Sequence, residues 1–139
     1  MSRVINPDSS GKERTRLSKS AALAIRELAS LREPGEESRD LAAFLVLALG
    51  RISETVEESV VAWEKRGYWV KADRFRMEWG WTQTKSDLLF KYLQEQNWDG
   101  IIQQVVQVSQ KLSAVKVPAR KPQIDPWTDA YKLLMSESK

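Results

Sequence analysis

The sequence predicts an all-α protein: an antiparallel helical bundle of three to four main helices, with one long central helix and a short C-terminal helix. Three observations carry the prediction. Apolar residues return at alternating spacings of four and three in several separate segments, which sets them on one helical face. Clusters such as Glu33-Pro34-Gly35 and Asn97-Trp98-Asp99-Gly100 punctuate those segments with turn chemistry. Residues 41–49 are apolar nearly all round, the pattern of a helix enclosed at the centre of a bundle.

Asn6-Pro7 and Ser9-Ser10-Gly11 read as turns and leave residues 1–10 as an irregular lead-in. Leu17, Ala21, Ala24, Leu28 and Leu31 then share one face, predicting a first helix over 11–32. Pro34 and Gly35 stop it, since proline lacks the amide a helix needs and glycine accepts a turn conformation. The second helix is expected to start with Ser38 as N-cap and Asp40 in its first turn, where a carboxylate suits the helix dipole.

The end of this helix is the main ambiguity. Gly67 looks like a turn, yet Val56, Val60, Trp63, Gly67, Val70, Arg74, Met77 and Trp81 keep the phase set by Ala42, Val46 and Leu49. A hairpin normally resets that phase. The unbroken pattern predicts a continuous helix from about 38 to 79, with a hairpin at Gly67 as the alternative.

Beyond Gly80, Thr84 and Asp87 form a weak capping box ahead of Leu88, Leu89, Tyr92 and Leu93, giving a helix over 84–96. Ile101, Val105, Val108, Leu112 and Val115 mark the next helix, with Gln103, Gln104, Gln107, Gln110 and Lys111 on its polar side. The bundle domain thus spans 11–116. Pro118, Pro122 and Pro126 make 117–125 a stiff basic linker. In 126–139, Asp125 caps Pro126 at the first helical position, and Trp127, Ala130, Tyr131 and Leu134 share one face of a short amphipathic helix.

At 139 residues the chain has the length of one domain. Its 42% hydrophobic and 29% charged residues lie near globular averages, which argues against wholesale disorder. Having neither histidine nor cysteine, it cannot assemble a serine triad, a cysteine nucleophile or a thiolate metal site. The glycines are scattered and make no phosphate loop, so no cofactor is expected. The polar N-terminus has no secretory h-region, and no apolar run approaches the ~20 residues of a spanning helix. A cytoplasmic address is the expectation.

Three features could carry function. Glu54, Glu57, Glu58 and Glu64, with Asp73, place carboxylates on adjacent turns, but no second helix offers a matching pair, so a solvated acidic face is the reading preferred over a magnesium site. Lys12, Arg16, Lys19 and Arg26 form a basic stripe on helix one, with Arg3 and Arg14 nearby, a possible contact for nucleic acid. Trp63, Tyr68, Trp69, Phe75, Trp79 and Trp81 crowd one short segment among Lys71, Arg74 and Arg76.

A continuous helix of about 40 residues would be ~60 Å long, and helix one could cover only half of it. The remainder would expose a large apolar patch, which monomers rarely tolerate. The expected function is therefore a non-enzymatic protein–protein interaction module, a scaffold, adaptor or small subunit of an assembly, whose partner is itself as a homodimer or higher oligomer. The expected interface is Trp63, Trp69, Phe75, Trp79 and Trp81, joined by Trp127, Tyr131 and Leu134 of the tail. The tail either docks on a partner or folds back on its own bundle. The alternative is an accessory nucleic-acid-binding subunit using the Lys12 to Arg26 stripe.

Overall fold

Why one helix becomes the spine of this chain is visible in its burial. The computed structural model describes residues 7–117 and 122–137, and among these it contains α1 (Pro7–Ser30), α2 (Glu36–Lys65), α3 (Trp69–Trp79), α4 (Trp81–Gln94), α5 (Trp98–Lys111) and α6 (Ala130–Glu137). Arg3, Pro118 and parts of the expected lead-in and linker lie outside the described residues. In the first half of α2, Leu41, Ala42, Ala43, Leu45, Val46, Ala48 and Leu49 are all buried. Each enclosed leucine contributes about 1.5–3 kcal/mol, so this stretch organises everything around it.

Helices α1, α3, α4 and α6 all pack on α2, while α5 packs on α4 and touches α1. The start of α1 meets the later half of α2 through Ser10 to Glu58 and Glu13 to Arg51, so these two helices are antiparallel. Phe75 meets Trp63, and further along the chain Ser86 donates to the Val46 carbonyl at 2.8 Å. The α3–α4 run therefore also lies antiparallel to α2. Among the described residues the bundle is all-α, with five main helices, α1–α5, and the short α6, where three to four main helices and a short C-terminal one are expected.

The continuous helix through Gly67 is corrected by the structure. α2 ends at Lys65 in a Schellman closure: the Gly67 amide donates to the Glu64 carbonyl at 3.0 Å, and the Tyr68 amide to that of Trp63 at 2.9 Å. Gly67 has φ +82°, a conformation that favours glycine. The chain then reverses, and α3 packs Ala72 against Val56 and Val60 with Trp63, Phe75 and Trp79 around them. The phase does reset. Val70, Arg74 and Met77 prolong the old alternation but are exposed, whereas Ala72, Phe75 and Trp79 form the inward stripe.

Other boundaries shift for local reasons. α1 begins at Pro7 rather than residue 11, with proline at the position where a missing amide costs nothing. α2 begins at Glu36, so Ser38 is its third residue, and its hydroxyl accepts from the Gly35 amide instead of acting as N-cap. α4 begins at Trp81 because Gly80 is itself helical (φ −59°, ψ −25°), making α3 and α4 a near-continuous run. Thr84 is then internal, and Asp87 accepts from Gln83 at 2.8 Å. α5 starts at Trp98 under Asn97, whose side chain accepts from the Gly100 amide at 3.0 Å. α6 starts only at Ala130, after a turn in which the Ala130 amide bonds the Trp127 carbonyl and Asp129 takes φ +63°, so Pro126 is not its first residue. No helix among the described residues is long and apolar enough to cross a membrane.

Candidate functional site

The short C-terminal helix packs on the chain's own bundle. Trp127 is 2% exposed within the main core, and its ring meets Phe44 edge-on at 6.4 Å. Ala130 and Leu134 are buried beside it. Asp40 of α2 accepts from the Tyr131 amide at 3.0 Å, satisfying one of the unpaired donors at the start of α6, and the Arg39 guanidinium lies over the Tyr131 ring. Asp40 therefore serves α6 rather than the first turn of its own helix. Trp127 and Leu134 are occupied internally, and Tyr131 is half-buried.

The aromatic segment divides in two. Trp63 and Phe75 meet edge-on at 4.8 Å, Phe75 lies 6.2 Å from Trp79, and Trp79 stacks against Trp81 at 6.3 Å. All four are partly buried against the chain's own core. Arg14 of α1 closes this seam: its guanidinium sits 4.6 Å from the Phe75 centroid and 5.8 Å from that of Trp79. Its Nη1 donates to Thr55 Oγ1 at 3.3 Å and Ser59 Oγ at 3.4 Å, both on buried residues of α2. Burial pulls the Arg14 pKa below its usual value, against a smaller opposing effect of Glu78.

The second group faces outward. Trp69 is 59% exposed, Val70 65% and Met77 83%, and with Asp73 they occupy one side of α3, opposite buried Ala72. Tyr68 is exposed at the preceding turn. Of the five segment aromatics expected at an interface, only Trp69 is exposed; Val70 and Met77 were missing from that set, although their spacing from Trp69 places them beside it. The hairpin also removes the length argument for self-association: α2 has 30 residues and α3 folds back over its later half, so no uncovered 40-residue helix exists.

Lys12, Arg16, Lys19 and Arg26 are exposed on α1. Leu23 falls in the middle of that stripe and is 1% exposed, which separates Arg26 from the other three. Arg14 is turned inward. The carboxylates of α2 are engaged by arginines: Arg51 binds Glu13, Glu54 and Glu58 at 2.7, 3.0 and 2.9 Å. Those hydrogen bonds hold the Arg51 pKa above its ordinary value. Arg76 of α3 binds Glu57 and Glu64 at 3.2 and 3.4 Å. No group of three or more potential metal ligands occurs among the described residues. No protein-family model matches the chain, and neither does any curated protein or solved structure.

Proposed function

We propose that the chain is a non-enzymatic helical interaction module that pairs with a second copy of itself through the outer face of α3. The observation that carries the reading is the joint exposure of Trp69, Val70 and Met77 on an 11-residue helix whose other side packs inward through buried Ala72 and half-buried Phe75 and Trp79. A tryptophan left in water beside two aliphatic side chains is the composition of an interface anchor. Both charge signs flank it, with Lys71 and Arg74 against Asp73 and Glu78. Because the border carries both signs, a second copy can offer each basic side chain an acidic partner. One short helix buries little area, so the dimer is a weak, reversible one. The lack of cysteine agrees with a reducing, cytoplasmic setting.

Light scattering across micromolar to submillimolar concentration tests the reading. The mass of the intact chain is expected to rise towards a dimer, and Trp69→Ser with Met77→Ser to hold it monomeric without altering the circular-dichroism melt. A monomer at every concentration refutes it. A mass increase only on adding mixed DNA and RNA, lost at high salt and in the Lys12→Gln, Arg16→Gln, Lys19→Gln variant, would assign the function to α1 instead.

A further inference from the structure

Between α1, the end of α3 and the segment after α5 lies a cavity of about 420 Å³, within the ~300–1,000 Å³ range of small-molecule sites. Arg14, Ser18 and Lys19 line it from α1, Trp79 from α3, and Val115 and Lys116 from the third side. It belongs neither to the α3 outer face nor to the exposed remainder of the basic stripe.

Its positive charge is only partly offset, by the field of Glu78 and by the Phe75 and Trp79 rings against Arg14. Arg14, Lys19 and Lys116 make no ion pair among the described residues. The contrast with Arg51 is instructive: that guanidinium, on the outside of the same α1–α2 seam, takes three carboxylates, while the more buried Arg14 takes only two long hydroxyl contacts, both from Nη1. The Nε–H and Nη2–H donors of Arg14 have no acceptor among the described residues. Burial of a cation with no carboxylate in ion-pair contact is unfavourable, and an anion in the cavity would relieve it. Independently, Ser18 is 4% exposed, and its hydroxyl is the one buried side-chain polar atom with no hydrogen-bond partner among the described residues. Native structures leave few such groups, and a bound ligand is one way of satisfying them.

Donors, cations and an indole wall together define the ligand. An acceptor-only, multiply charged head matches guanidinium, ammonium and hydroxyl donors, and a flat apolar body matches Trp79 and Val115. We infer that this cavity binds a small aromatic phosphate monoester, its phosphoryl group held by Arg14, Lys19 and Lys116 with Ser18, and its ring lying against Trp79 and Val115.

Calorimetric titration of the full chain with phenyl phosphate tests this, with phenol, inorganic phosphate and a single-stranded oligonucleotide titrated in parallel. Expected is saturable one-to-one binding of phenyl phosphate, no binding of phenol, and inorganic phosphate weaker by about tenfold for want of the stacking surface. Lys19→Gln with Lys116→Gln changes two exposed side chains, so the melt should be retained while affinity falls at least about tenfold with the loss of charge-assisted bonds. Ser18→Ala is expected to weaken binding while leaving the fold intact. No binding of phenyl phosphate at millimolar concentration overturns the inference, as does unchanged affinity in the folded double-lysine variant. Equal affinity for inorganic phosphate overturns the ligand class, and tighter binding of the oligonucleotide through the same lysines overturns the small-molecule assignment. The Trp69→Ser, Met77→Ser variant should bind phenyl phosphate like the parent, so failure of α3 pairing and failure of the cavity are told apart.

Discussion

Replacing Gly67 with alanine distinguishes a hairpin from a continuous helix by the sign of the effect on stability. Gly67 has φ +82°, where an L-residue with a Cβ is disfavoured by about 1–2 kcal/mol. No atom lies within 4 Å of the added methyl, so no steric clash adds to that cost. Alanine also restricts the unfolded chain, which offsets roughly 0.5 kcal/mol. The net expectation is destabilisation of about 1 kcal/mol, equivalent to a melting temperature lower by roughly 3 °C for a chain of this size. Were residue 67 inside a continuous helix, the same change would stabilise by about 0.5–1 kcal/mol. Urea unfolding followed by circular dichroism reads the difference as a shift of midpoint at constant slope. Gly67→Asn, which tolerates the left-handed region better than alanine does, should lose less. A raised midpoint for Gly67→Ala would refute the Schellman closure and with it the fold-back of α3.

Two further substitutions probe packing. Trp127→Ala removes a side chain that is 2% exposed and in contact with Phe44, and should cost about 3–5 kcal/mol by chemical denaturation; an unchanged midpoint would mean that the tail does not pack on its own bundle. Gly100→Ala would gain helix propensity, but its methyl would lie 2.8 Å from Tyr92 Cγ, close to the backbone and unable to swing aside. Overpacking should win, lowering stability by about 1–2 kcal/mol, and a stabilised variant would show that α4 and α5 are further apart than described.

What could be read from the sequence depended on whether a residue's neighbours were local. The all-round apolar run at 41–49 identified the spine because enclosure on every side leaves no other reading. The Gly67 turn is obscured in the sequence because two apolar stripes run through the aromatic segment, Val70 with Met77 and Ala72 with Phe75. Periodicity alone does not say which of them faces inward; the structure buries Ala72 and half-buries Phe75 while Val70 and Met77 are exposed. Asp40 shows the other limit. Its partner, the Tyr131 amide, lies 91 residues away, so a local reading could only assign it to its own helix dipole. The cavity was equally hidden, since its lining comes from three separate stretches of chain and its main signals are absences: a guanidinium without carboxylates and a hydroxyl without a partner.

The two halves of α2 are held by different physics, and this bears on where binding is read. Its first half is enclosed by aliphatic side chains and sealed by Trp127, with Ser86 tying α4 to its backbone. Its second half is held by a polar seam, with Ser10, Glu13 and Arg14 of α1 meeting Arg51, Thr55, Glu58 and Ser59, and by α3, whose only fully buried residue is Ala72. Polar seams and exposed ion pairs contribute little net stability, so the α3 end is the weaker part of the bundle. It is also where the exposed indole of Trp69 lies, and where Arg14 meets hydroxyls and rings but no carboxylate in ion-pair contact among the described residues. A ligand or a second copy that occupied either place would supply the burial or counter-charge that this end lacks, and would stabilise it in proportion to its own affinity.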